Sequence, residues 1–197
     1  REMGTYYIGF SGGEPFARDD FLDILEAAKK RGFRVSLITN AMLLSKEKIN
    51  RLCELGIERV TVSFHSIHQD TYIKSFAINN PNLYFVALNN IDYMLKRNIS
   101  LGVAITVTKD SIQDLGDTTK YFLNLGLQEQ DINYNLLLRG QREIEELMPK
   151  ESDIIYKRDY LSKKIDGSNS DITLLCAAGI YSCSIDAFGN VYPCTFF

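Results

Sequence analysis

Three times in its first 127 residues the chain runs a helix-like segment into a glycine and then into a short apolar run. The junctions are Arg31-Gly32-Phe33, Leu55-Gly56-Ile57 and Leu125-Gly126-Leu127. A glycine just past a helix takes the positive φ with which helices commonly stop. Repeated in this way, the pattern leaves few options beyond βα units with parallel strands, arranged as a barrel or as a doubly wound sheet. The spacing predicts strands at Thr5–Phe10, Arg34–Thr39, Arg59–Phe64, Ser100–Thr108 and Asp131–Leu138. It predicts helices at Asp19–Arg31 (Phe21, Leu22, Leu25 and Ala28 inward), after the Ser45 cap (Ile49, Leu52, Leu55), at Asn82–Arg97 (Phe85, Leu88, Ile91, Leu95) and at Ser111–Leu125. No dinucleotide fingerprint or P-loop pattern occurs, which disfavours the nucleotide-binding sheets.

Beyond Leu138 the pattern changes. Arg139–Pro149 is charged and reads as a loop, Ser152–Ile165 as a last helix with Ile154, Ile155, Leu161 and Ile165 inward, and 166–171 as a polar linker. Cys176–Cys194 reads as a β-hairpin turning at Ala187-Phe188-Gly189-Asn190. The domain expectation is therefore a partial barrel over 1–140, a connector and helix over 141–171, and a cysteine-bearing hairpin over 172–197. With 45% hydrophobic residues there is ample core material, and a formal net charge of −3 gives no global sign of nucleic acid or an anionic membrane as partner. No apolar run approaches the roughly 18 residues of a membrane span, and no signal peptide is present, so a cytoplasmic location is expected. Of the four cysteines, Cys53 reads as a small core residue. Cys176, Cys183 and Cys194 cluster at the end, which without a secretion signal favours metal or redox chemistry over disulfides.

The motif with most chemistry is Gly9-Phe10-Ser11-Gly12-Gly13-Glu14-Pro15-Phe16, at the carboxyl end of the first visible strand. In βα barrels chemistry gathers at that end. Gly12 and Gly13 let backbone approach a ligand closely, Glu14 offers an acceptor for an ammonium group, and Pro15 fixes the turn that follows. The set suits a zwitterionic small molecule; the alternative is a plain turn with a solvated glutamate. His65 and His68 follow the third strand and read as hydrogen-bonding loop residues, with acid–base chemistry as the alternative.

"SGGEP" resembles the GGEP motif of the radical S-adenosylmethionine enzymes, which holds the amino group of that cofactor. "LITNAMLLSKEKINRLCELGIERVTVSF" is similar to the family's third strand, helix and fourth strand. The resemblance implies cofactor-binding roles for Gly12, Gly13, Glu14, Pro15, Asn40 and Ser63, and for Lys74 as a basic residue completing the carboxylate site. Three positions depart from the family: Ala41 stands where Gly is usual, His65 where an acid is usual, and Ser111 where Asn is common. "CAAGIYSCSIDAFGNVYPC", spaced C-x12-G-x4-C, resembles the opening of the SPASM or Twitch extension of such enzymes. That resemblance implies Cys176 and Cys194 as thiolate ligands of an auxiliary 4Fe–4S cluster, with Cys183 as an inward strand residue or an extra ligand. A zinc knuckle or a free-thiol hairpin is the alternative, although the C-x2-C of typical zinc sites is missing.

The implied fold is a partial (β/α)6 TIM-like barrel followed by a short cysteine-bearing hairpin. In it the GGEP strand is the second and Asp131–Leu138 the sixth. The family's C-x3-C-x2-C loop, which holds the catalytic 4Fe–4S cluster, has no counterpart here. The chain accordingly reads as the middle of a longer protein and is expected to be inactive alone. The implied activity of the parent is formation of a 5′-deoxyadenosyl radical and hydrogen abstraction from a peptide or protein side chain, with flavodoxin or ferredoxin as reductant. Alternatives are radical chemistry on a small molecule, a non-catalytic barrel binding S-adenosylmethionine or peptide, and an unrelated βα-barrel isomerase or lyase.

Overall fold

The structure, a computed structural model, describes residues 4–136, 145–156 and 182–193. The chain divides into two compact units, Arg1–Lys164 and Ile165–Phe197.

In the first unit the elements follow as β1 (Tyr7–Phe10), α1 (Phe21–Lys30), β2 (Arg34–Thr39), α2 (Lys46–Glu54), β3 (Arg59–Ser63), α3 (Gln69–Ser75), α4 (Asn82–Lys96), β4 (Leu101–Val107), α5 (Leu115–Asn124), β5 (Ile132–Leu136) and α6 (Glu151–Tyr156). All neighbouring strands are parallel and lie in sequence order β1-β2-β3-β4-β5. Parallel strands in sequence order, joined through helices, match a partial barrel, in which crossovers of one hand set the helices on one face. The sheet is not closed among the described residues.

The helix stops share one geometry. Gly32, Gly56 and Gly126 have φ of 78°, 62° and 107°. At each, the glycine N–H and the next residue's N–H return to carbonyls of the last turn, for example Gly56 to Cys53 and Ile57 to Leu52. This is a Schellman cap, with apolar Phe33, Ile57 and Leu127 folding back onto the core. Asn98 (φ 56°) closes α4 and Ala77 (φ 49°) closes α3 through the same bond pattern.

Alternation divides the sheet cleanly. Val35, Leu37, Val60, Val62, Val103, Ile105, Val107 and Ile132 are buried against the helices. The opposite, inner face carries rows set by the register: Gly9–Ser36–Arg59, Ile38–Thr61–Gly102, Ser63–Ala104–Asn133 and Thr106–Asn135. At its amino end the Arg59 guanidinium crosses Gly102 to reach Asp131 (2.9 Å). A Cβ at Gly102 would stand 2.6 Å from that guanidinium, so a side chain there would push Arg59 off this path.

Three expectations need adjustment. The buried face of α4 is Tyr84, Ala87, Asn90, Ile91 and Met94, while Phe85 is exposed. Tyr84, on that buried face, donates its hydroxyl to the Ile67 carbonyl. Ser111–Leu125 splits into a 3-10 turn at Ile112–Asp114 and then α5. Cys53 is half-exposed on α2, outside the core.

In the second unit, β6 (Ser184–Ile185) pairs antiparallel with β7 (Val191–Tyr192). The Asp186 carboxylate organises the turn, accepting from the backbone N–H groups of Phe188 and Asn190 and from Asn190 Nδ2, each at 2.8 Å. These donors hold its pKa below the usual carboxylate range. Gly189 takes the expected positive φ, 89°.

Candidate functional site

The tips of β1 and β2 meet through one side chain. Glu14 caps a 3-10 turn, Pro15–Ala17, in which Pro15 fixes the first φ and Phe16 buries its ring against Phe21. Its Oε1 accepts from Phe16 N–H (3.1 Å) and from the Thr39 hydroxyl (2.7 Å), and its Oε2 accepts from Asn40 N–H (2.7 Å). Thr39 is buried and shares the parity of Val35 and Leu37, so this clasp lies toward the helix-packed side. Both carboxylate oxygens thus have partners within the chain. Gly12 and Gly13 are exposed, and a Cβ built at either would meet nothing within 4 Å. Gly12 has φ 140°, which an L side chain rarely adopts. Open space therefore adjoins the backbone of the glycine pair, with the Glu14 carboxylate behind it as an anchor.

The second loop is held as firmly. Asn40 Oδ1 accepts from Met42 N–H (2.9 Å), and Ala41 N–H donates to the Thr39 hydroxyl oxygen (3.0 Å). Asn40 Nδ2 has no partner among the described residues. Ala41 sits at φ 61° with its methyl fully buried, and that burial offsets the steric cost of a left-handed residue where a glycine was expected. From α4, Asn90 Nδ2 donates to the carbonyls of Ala41 and Leu44, both at 2.9 Å. Sequence reasoning missed Asn90, which lies off the Phe85, Leu88, Ile91 and Leu95 stripe and so left no periodic signal.

Ser63 lies on the inner face opposite Ala104 at the carboxyl end of β3, and its hydroxyl has no partner among the described residues. Lys74 behaves differently: its Nζ is 2.7 Å from Asp110 Oδ1 on the loop after β4. Ser111 is buried, and its hydroxyl donates to the Thr106 carbonyl, closing that same loop. Both histidines are hydrogen-bonded in the loop after β3. His65 Nδ1 accepts from Thr106 N–H (3.1 Å), and His68 Nε2 is 3.1 Å from Asp117 Oδ2. Burial pushes His65 down to about 4.

Cys176 and Cys194 lie outside the described residues, while Cys183 is exposed beside β6. Among the described residues no three His, Cys, Asp or Glu side chains converge as metal ligands. The glycine pair and the polar side chains of Asn40 and Ser63 stand at the carboxyl ends of β1, β2 and β3. No described helix is long and apolar enough to cross a membrane.

Residues 1–122 match the profile of the Radical SAM superfamily. The chain is 29% identical over 154 residues to the tungsten-containing aldehyde ferredoxin oxidoreductase cofactor-modifying protein of Pyrococcus furiosus, covering 75% of this chain and 42% of that protein. It thus spans less than half the length of that curated relative. Among solved structures it resembles anSMEcpe with bound AdoMet, with a TM-score of 0.70 and 16% identity over 98% of this chain and 61% of that one. It also resembles Streptococcus suis SuiB bound to precursor peptide SuiA, with a TM-score of 0.72 and 13% identity over 95% and 48% of the two chains. At these identities the structural likenesses establish the fold.

Proposed function

The chain belongs to the radical SAM superfamily, and from that premise we propose that the intact protein uses S-adenosylmethionine to abstract hydrogen from a peptide or protein side chain. When bound, S-adenosylmethionine supplies a 5′-deoxyadenosyl radical on one-electron cleavage of its sulfonium bond. The residues of this chain bind and orient it. The backbone of Gly12 and Gly13 receives the amino group, Glu14 and Pro15 hold that backbone in place, and Asn40 and Ser63 contribute polar groups to the methionyl and ribose portions. Lys74 serves the carboxylate site only after release from Asp110. The observation that carries this reading is the exposed glycine pair beside open space, tied to the tip of β2 by one carboxylate that accepts from the Thr39 hydroxyl and the Asn40 N–H.

Support for a peptide substrate comes from the likeness to a SuiB structure that contains its precursor peptide. The hairpin unit is read as the start of an auxiliary 4Fe–4S module with Cys176 and Cys194 as ligands, Cys183 as an extra ligand or an inward residue, and flavodoxin or ferredoxin as reductant in the cytoplasm. The 197 residues contain no C-x3-C-x2-C triplet; we expect them to form no 5′-deoxyadenosine by themselves. One observation favours a second reading, a small-molecule substrate: the Pyrococcus furiosus relative is a cofactor-modifying protein.

The test is anaerobic reconstitution of the full-length protein with iron and sulfide, followed by assay for 5′-deoxyadenosine with and without candidate precursor peptides. Peptide-stimulated formation with a mass change on the peptide is expected. Formation that no peptide alters would favour the small-molecule reading, and no formation at all would remove both.

A further inference from the structure

The parallel ladder between β3 and β4 ends in an unusual way. Phe64 N–H donates to the Ala104 carbonyl (3.0 Å), which extends the pairing one residue past Ser63. In a parallel ladder the next bond would run from Thr106 N–H to the Phe64 carbonyl. It runs instead to Nδ1 of His65 at 3.1 Å. A backbone N–H can only donate, so Nδ1 carries the lone pair and the proton of the neutral ring sits on Nε2. The ring lies flat on Phe76, with centroids 4.4 Å apart and planes 5° apart. The loop behind it is pinned. Ser66 is fully buried and donates to Asp114, Ile67 N–H donates to the Thr118 hydroxyl oxygen, and the Tyr84 hydroxyl donates to the Ile67 carbonyl. The ring is only partly buried. Among the described residues nothing bonds Nε2–H, which stands two residues past Ser63 at the carboxyl end of β3.

We propose that His65 is a ligand-binding residue whose Nε2–H, fixed in one tautomer by Thr106, donates to a carboxylate or carbonyl oxygen of the bound ligand. This rests on the reading of the β-strand tips as an S-adenosylmethionine site. The low pKa agrees, since it arises from burial alone with no charged neighbour contributing, and it leaves the ring neutral at physiological pH. The fixed tautomer also makes His65 a poor general base, because protonation at Nδ1 would set N–H against the Thr106 N–H. An acid, usual at this position in the family, accepts hydrogen bonds from hydroxyl or ammonium groups. His65 reverses that polarity and selects an acceptor. Two sources offer the acceptor, the cofactor's methionyl carboxylate and a peptide carbonyl, and the cofactor is expected.

The test measures S-adenosylmethionine binding to the full-length protein by equilibrium dialysis, with and without peptide. In His65→Asn the amide oxygen stands where Nδ1 does and keeps the Thr106 bond, but nothing replaces Nε2–H. In His65→Gln the amide nitrogen stands near Nε2 and keeps the donor. We expect His65→Asn to weaken binding at least about tenfold and His65→Gln to stay within about threefold, since a hydrogen bond to a charged acceptor is at stake. Weakening seen only with peptide present assigns the acceptor to the substrate and upholds the donor role. Equal affinities in both arms for wild type and His65→Asn overturn it, as does equal weakening by Asn and Gln. Should either variant fold poorly, the imidazole 15N resonances of the wild type decide: a protonated Nε2 that shifts on ligand addition is expected, and an Nε2 that no ligand shifts refutes the proposal. A wild type that binds no S-adenosylmethionine would instead count against the site reading itself.

Discussion

Replacing Glu14 separates two roles that a glutamate beside a glycine pair could have. Its carboxylate accepts three hydrogen bonds, one of them from the hydroxyl of buried Thr39 and one from the Asn40 backbone 26 residues away. Hydrogen bonds to a charged group are each worth about 1.5–3 kcal/mol, but the residue is half-exposed and water would re-solvate part of what is lost. Glu14→Ala is accordingly expected to cost about 3–4 kcal/mol of unfolding free energy with no ligand present, a large share of a typical domain's stability. Glu14→Gln keeps one acceptor and turns an amide N–H₂ toward either the Phe16 or the Asn40 N–H, for an expected cost of about 1–2 kcal/mol. The assay is chemical denaturation of the ligand-free protein followed by circular dichroism, with S-adenosylmethionine affinity measured on the same samples. If Glu14→Ala unfolds at the wild-type midpoint, the clasp is not holding the tips together and the argument fails. If Glu14→Gln loses affinity at unchanged stability, the carboxylate touches the ligand directly.

The other expectations can be checked in the same preparations. Tyr72 is fully buried with its hydroxyl unpartnered, so burial pushes its pKa up and Tyr72→Phe should raise stability by about 1 kcal/mol; a loss in the denaturation midpoint would show a partner for the hydroxyl. Asn90→Leu leaves the buried carbonyls of Ala41 and Leu44 without donors and should cost about 2–3 kcal/mol, and a neutral result would show that the β2–α2 loop holds its shape without that amide. His65 titrates at about 4 in the fold against an ordinary 6.5, so its contribution to stability is complete above pH 6.5 and is lost as pH falls through 4. Wild type should therefore lose about 2 kcal/mol more than His65→Asn between pH 7 and pH 5, and parallel pH profiles would contradict this.

Much of the fold could be read from residue order because its strongest signals are local. A glycine that must take positive φ marks its own helix end, and Gly32, Gly56 and Gly126 do so. Where the same stop is made by Ala77 or Asn98 the mark disappears. The helix ahead of Ala77, Gln69–Ser75, has no such mark in the sequence, and neither does the pairing of Lys74 with Asp110, 36 residues on. Apolar side chains surround α4, so its sequence leaves the buried face open, and the bond from Tyr84 to a carbonyl 17 residues earlier has no local signature. The site shows the same division. The glycine pair and its acid announce themselves within four residues, but what the acid holds lies 25 and 26 residues away. The partner of His65, Thr106, lies 41 residues away. Long-range polar contacts leave no periodic trace along a chain, and these three therefore required coordinates.

The sorting of side chains between the two faces of the sheet has a consequence for how such a protein can change. Valine and isoleucine on the helix side bind the scaffold together, while Thr61, Ser63 and Asn135 on the other side stand outside that cohesion. Their replacement would cost the chain little in folding and would alter whatever meets the inner surface. A lineage built this way can alter its inner surface by point mutation without first acquiring spare stability.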